Sequence, residues 1–194
     1  MKLLPLALAT ASLTTAQAHA QTAPLDTAAT RATYAQPSKR IQSKSGGPES
    51  PIVKRSYTTN GKGVQVELIE RADGRKEERP YVPLPLLFAV GSDELLDGVS
   101  RDNVRELAAI LRDFTAKGAS FSIQGHASAE GDGQANLTLS ERRAEKIRSL
   151  LVEAHGLGKA SLSAQGFGST SAKARPDAPE NERQKDRRVL VVKN

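Results

Sequence analysis

The sequence predicts an α/β domain: a mixed sheet packed by two helices, built over residues 85–194 as strand, helix, strand, helix, strand, strand. Three observations carry that reading. Phe121 and Ile123 alternate with polar residues as a half-buried strand requires, and Leu162–Phe167 and Arg188–Lys193 read as further strands. Apolar residues recur with helical spacing over 100–116 and 134–154. Glycines stand where each periodic stretch gives way to the next, at Gly91, Gly118, Gly125, Gly156 and Gly166.

The elements follow in chain order. Leu86–Val90 is an unbroken apolar run closed by Gly91-Ser92, the pattern of a strand buried on both faces. Ser100 is placed to cap a helix, with Asp102 near its positive end. Val104, Leu107, Ala108, Leu111 and Phe114 form the apolar stripe of that helix, and Gly118 ends it. Phe121 and Ile123 belong to a second strand that stops at Gly125. A longer helix reaches His155-Gly156. Leu162–Phe167 reads as a third strand, Ser169–Lys185 as a polar loop, and Arg188–Lys193 as the last strand.

Upstream, Met1–Ala20 has a basic start, a short apolar run and an Ala-His-Ala end, which describes a secretory signal peptide cut after Ala20. Its apolar run is too short and too interrupted to span a bilayer, and no later stretch approaches transmembrane length. Residues 21–60 are rich in Thr, Ala, Ser, Gln, Pro and Gly and carry scattered lysine and arginine; they read as a disordered basic linker. Residues 61–84 read as a small β-hairpin and lead-in, with Val64–Ile69 and Lys76–Val82 as arms and Asp73-Gly74 in the turn.

Composition narrows the function. There is no cysteine, hence no disulfide and no lipid-bearing thiol near the cleavage point. The net charge is +6; Lys2 is the only charged residue of the leader, so +5 remains after cleavage. Export and scarce aromatic residues argue against a nucleic-acid partner. An anionic envelope polymer or an acidic protein surface suits the charge. None of the three histidines has a cysteine or acid in catalytic register, and Glu130 and Asp132 lack the other ligands of a calcium loop. The protein reads as a non-enzyme with no cofactor and no metal. His126 reads as a loop-packing residue; a pairing with Ser128 as base and nucleophile lacks an orienting acid.

The binding candidate is the glycine-rich loop Gly125–Gly133 and the helix after it. Loops at the carboxyl ends of strands collect ligands in open α/β sheets, and the helix start offers free N–H groups. On a helical wheel Asn136, Leu139, Ser140, Arg143, Ala144, Ile147, Leu150, Leu151 and Ala154 share one face, whereas Arg142 lies opposite. An arginine sent inward requires a partner. That partner is either a carboxylate of the chain (Glu94, Asp97, Glu130, Asp132 or Asp186) or one carried by a ligand. The residues alone favour neither.

Ordered motifs then add a resemblance. Phe88–Leu95, Ile123-Gln-Gly-His126, Gly131, Asn136, Leu139-Ser-Glu-Arg-Arg-Ala144, Gly166-Phe-Gly168 and Asp186-Arg-Arg-Val189 resemble the OmpA-like C-terminal domain, a periplasmic peptidoglycan-binding module. The resemblance implies an OmpA-like βαβαββ sandwich. It also implies noncovalent binding of the diaminopimelate of the peptidoglycan stem peptide. It assigns Arg143 to the ligand-gripping arginine, Asn136 to the wall of the pocket and Arg188 to the closing Arg-Arg pair. Where the family has Thr-Asp, this chain has Ala127-Ser128, so the carboxylate that would meet the ligand's ammonium is missing. A hydroxyl in its place lowers affinity by about 1.5–3 kcal/mol, ten- to a hundredfold or more. Glu130, two residues on, is a candidate replacement. The expectation is an exported, periplasmic cell-envelope protein that binds peptidoglycan, weakened at Ser128. The alternative is a structural or interaction module of an envelope assembly, such as a secretion or conjugation apparatus, with envelope proteins as partners.

Overall fold

The computed structural model describes residues 22–40 and 51–194, and the expected signal peptide and residues 41–50 of the linker lie outside them. Described elements are α1 (Thr27–Ala35), β1 (Lys39–Arg40), β2 (Ile52–Thr59), β3 (Gln65–Arg71), β4 (Lys76–Leu84), α2 (Gly98–Thr115), β5 (Phe121–Gly125), α3 (Gly133–Ser149), β6 (Leu162–Gly166), α4 (Glu180–Arg183) and β7 (Val189–Lys193). They form one sheet of seven strands in the order β2-β3-β4-β7-β5-β6, with β1 added against β4. Strands β5 and β6 are parallel, and β7 runs antiparallel to both β4 and β5, so the sheet is mixed.

The core follows the predicted periodicities. Phe121, Ile123, Val189 and Val191 point from the sheet into one cluster with Val104, Leu107, Ala108 and Leu111 of α2 and Ala144, Ile147 and Leu151 of and beyond α3. Helix α3 closes through a π turn at Leu150–Ala154, near the predicted stop. The cap of α2 is Asp97, whose carboxylate accepts from the Ser100 N–H at 2.7 Å. Ser100, expected as the cap, instead accepts from the Leu87 N–H at 2.8 Å and pins the segment ahead of the helix.

That segment corrects the sequence reading. Leu86–Val90 is not a strand; it retains one isolated bridge, Phe88 to Leu95. Leu86, Phe88 and Leu95 pack on the core while Val90 is fully exposed. An apolar run without alternation does not distinguish a strand from coil that packs side chains downward. The position beside β7 belongs to Tyr81–Leu84 of β4, the expected lead-in.

The expected linker is also ordered where it is described. Helix α1 is capped by Asp26 and buries Tyr34 completely, with the Tyr34 hydroxyl donating to the Val191 carbonyl at 2.9 Å. Asn103 accepts from the Leu25 N–H at 2.7 Å and donates to the Ala23 and Pro85 carbonyls. Few large apolar side chains are present, but Tyr34 sits edge-on between Phe114 and Phe121, and one such anchor suffices to dock a capped helix.

The hairpin is no detached appendage. β3 and β4 pair across the predicted turn, where Gly74 adopts a φ of +78°. β2 adds a further strand, and the ribbon curls over the sheet face opposite the helices. There the Tyr57 hydroxyl donates to Gln124 Oε1 at 2.8 Å, and Gln124 Nε2 donates to Glu67 Oε1 at 3.1 Å. Leu190 and Val192, which alternate to that face, are buried as well.

Candidate functional site

The site is built where β5 and β6 end side by side. Gly125 and Gly166 are aligned in the parallel register, and α3 crosses directly over both. A β-carbon on Gly125 would collide with the Ser140 carbonyl oxygen, and one on Gly166 would lie 2.5 Å from the Glu141 nitrogen. Only glycine permits this approach. It sets the height of α3 above the loop and hence the position of Arg143.

The loop from His126 to Asp132 is held from several sides. The Ala127 N–H donates to the Gly168 carbonyl at 2.8 Å. Asn136 Nδ2 donates to the carbonyls of Ser128 at 3.3 Å and Glu130 at 2.6 Å, so Asn136 closes the loop onto the start of α3. Asp132 caps α3 through the Ala135 N–H. The helix start that was expected to offer free N–H groups therefore has one of them satisfied internally.

Arg143 is buried, as the wheel predicts, and is 8% exposed. Its partners differ from those considered. Nε donates to the Ser92 carbonyl at 2.9 Å, Nη2 donates to the Ala89 carbonyl at 3.3 Å, and the guanidinium lies 4.8 Å from the Phe88 ring centre. No carboxylate of the described residues is ion-paired with Arg143, and Nη1 takes no hydrogen bond among them. Burial lowers its pKa, and the nearby charge of Arg187 acts in the same direction while Asp93 opposes them. Arg142 points outward and clasps the Gly91 carbonyl at 3.3 Å.

Ser128 is buried, with its hydroxyl 3.2 Å from Glu130 Oε1 and 3.4 Å from Arg187 Nη1. Glu130 pairs with Arg187 at 3.1 Å and also with Arg183. A carboxylate thus does stand beside Ser128, neutralised by two arginines. Ala127 contributes backbone only.

Arg188 is placed elsewhere. It pairs with Asp186 at 3.2 Å, donates toward the Ser171 carbonyl at 3.5 Å and lies over Tyr57. The member of the Arg-Arg pair that faces the loop is Arg187. Strand alternation was the available clue, since adjacent residues entering β7 point to opposite faces. Arg183 was missed because its short helix lies in a segment of loop composition.

His126 is a packing residue. Its ring stacks on Phe167 with centroids 5.3 Å apart and meets the edge of Tyr57 at 5.3 Å. Neither ring nitrogen has a hydrogen-bond partner among the described residues. Burial pulls its pKa down to about 3, with Arg188 adding to the effect and Asp186 opposing it. Ser128 is bonded to Glu130 and Arg187, so no histidine–serine dyad is formed. Among the described residues no cluster of three or more metal-ligating side chains occurs, and no helix is long and apolar enough to cross a membrane.

What fold and loop define together is an α/β module that holds a buried guanidinium at the carboxyl ends of two parallel strands. The chain belongs to the OmpA family, whose sequence model matches residues 87–187, a little over half of its length. Solved structures of Helicobacter pylori MotB agree in fold. The C-terminal domain of Helicobacter pylori MotB superposes with a TM-score of 0.51 at 20% identity, covering 58% of this chain and 84% of that one. A longer periplasmic piece of Helicobacter pylori MotB gives 0.50 at 21% identity, covering 60% and 81%. The peptidoglycan-associated lipoprotein from Burkholderia pseudomallei gives 0.49 at 25% identity, covering 56% and 88%. No curated protein sequence matches the chain.

Proposed function

We propose that this is an exported, periplasmic cell-envelope protein whose OmpA-like domain binds peptidoglycan noncovalently, through the diaminopimelate of the stem peptide. The observation that carries the reading is Arg143: a buried guanidinium with no carboxylate partner among the described residues and one nitrogen unengaged. An unpaired buried cation is costly, and a ligand carboxylate on Nη1 offsets that cost. In this reading the ligand's ammonium is received beside Ser128, where Glu130 lies 3.2 Å away and shares its charge with Arg183 and Arg187. The role is binding, without catalysis, cofactor or nucleic acid. Association with the outer membrane is part of the same proposal.

Cosedimentation of the full chain with purified sacculi tests it. Binding is expected, with competition by free diaminopimelate and loss on Arg143→Ala; retention of the variant at the natural level would remove the proposed site.

A second reading has its own support. Arg143 clasps the 89–92 backbone and Glu130 is held by two arginines, which is how a pocket closed to ligand would be built. The chain would then serve as an interaction module of an envelope assembly, such as a secretion or conjugation apparatus. Sacculus binding that is absent in the natural sequence and created by Ser128→Asp favours this reading.

A further inference from the structure

We propose that the crease between β2 and the loop after β6 is a second, carboxylate-binding subsite, distinct from Arg143. The inference rests on the peptidoglycan reading for its ligand but not for its chemistry. The crease is a cavity of about 310 Å³ lined by Ile52, Lys54, Arg55, Phe167, Thr170 and Ser171. That volume is at the small end of ligand pockets, which run about 300–1,000 Å³.

Two cations line it and no carboxylate does. Arg55 is fixed: it pairs with Glu67, which is fully buried and held in turn by Gln124, and its guanidinium lies 5.2 Å from the Phe167 ring centre. The cation therefore stays at the wall with part of its fork unused. Lys54 is exposed and Ser171 half-buried, and among the described residues neither side chain is engaged by an ion pair or hydrogen bond. The Thr170 hydroxyl is satisfied, donating to the Phe167 carbonyl at 2.7 Å. Cationic donors, a free hydroxyl and apolar walls from Ile52 and Phe167 fit a carboxylate on a compact, partly apolar body.

The location adds meaning. Phe167 lines the cavity with one part of its ring surface and stacks on His126 with another, and His126 leads directly into Ala127-Ser128. Crease and loop thus share a wall, so one polymer bearing several carboxylates has two places to be held. Half of the crease comes from β2, outside the span matched to the family.

Amide chemical shifts of the full chain read the subsite directly. N-acetylmuramic acid is expected to move the amides of Arg55, Phe167 and Ser171, and N-acetylglucosamine, which has no carboxylate, to leave them in place. D-alanyl-D-alanine is the peptide arm: shifts with it assign the carboxylate to the stem peptide, and their absence assigns it to the sugar acid. Lys54→Gln and Ser171→Ala are each expected to weaken the responding probe about three- to tenfold, with shifts at Ser128 and Arg143 from diaminopimelate unchanged. Neither substitution touches Glu67, so the buried pair stays intact. Silence at the three amides with every carboxylate probe, equal shifts with N-acetylglucosamine, or full affinity in both variants would overturn the subsite. Shifts at the crease without any response of the Ser128 loop to diaminopimelate would leave the subsite standing and reject the Arg143 reading.

Discussion

Ser128 Oγ lies 3.2 Å from Glu130 Oε1, which places a carboxylate beside a buried hydroxyl in the loop ahead of α3. Glu130 is also bound by Arg183 and Arg187. The charge is therefore present but shared. Replacing Glu130 by Gln is expected to weaken diaminopimelate about tenfold in calorimetric titration, a typical value for a lost charge-assisted hydrogen bond, and to change the affinity for pimelate little. Equal weakening of both ligands would mean that Glu130 only shapes the loop.

Helix α1 belongs to the folded unit. Tyr34→Ala removes a fully buried aromatic side chain and its bond to the Val191 carbonyl, and is expected to cost about 3–5 kcal/mol in denaturant unfolding. Tyr34→Phe isolates the hydrogen bond and is expected to cost about 0.5–1.5 kcal/mol. A negligible effect of the alanine variant would show that α1 is dispensable.

The two strand-end glycines set the height of α3. Gly166→Ala places a methyl 2.5 Å from the Glu141 backbone nitrogen, and the helix must shift to admit it. Overpacking of this kind costs about 1–3 kcal/mol. Because Arg143 rides on α3, diaminopimelate affinity is expected to fall along with the melting temperature; an unaltered melt would show that the helix yields freely.

His126 gives the stability a pH dependence of known sign. It is neutral in the fold, with a pKa of about 3 against an ordinary 6.5. The unfolded chain therefore binds the extra proton first. Stability is complete above pH 6.5 and falls between there and pH 3, at up to about 1.4 kcal/mol per pH unit. His126→Phe keeps the stacking on Phe167 and removes the titration. Urea melts of the two proteins are expected to diverge only below pH 6.5; parallel curves down to pH 4 would show that His126 does not titrate this way.

Periodicity carried much of this fold. The alternation at Phe121 and Ile123 and the stripe from Val104 to Leu111 placed β5 and α2 because burial follows period directly. Three features escaped it for physical reasons. Leu86–Val90 lacks alternation, so its coil geometry was invisible. α1 depends on one aromatic anchor and on Asn103 holding Leu25 ahead of it, 78 residues away in the chain. β2 is held by Arg55 pairing with Glu67 across the hairpin and by Tyr57 meeting Gln124 of β5, the second a contact that exists only once the ribbon has curled. At the site, the inward turn of Arg143 was legible from the wheel. Its backbone partners were not, because main-chain carbonyls leave no mark in side-chain chemistry. That Arg187 and not Arg188 faces the loop depends on which way each side chain leaves the backbone ahead of β7.

The central claim is that Arg143 Nη1 receives a ligand carboxylate. Calorimetric titration of meso-diaminopimelate into the full chain tests it most directly, with Arg143→Ala as the comparison and a thermal melt of each protein to confirm folding. Saturable binding that falls at least about tenfold in a folded Arg143→Ala variant is the predicted result. Equal affinity of the two folded proteins, or no binding to either, would contradict it.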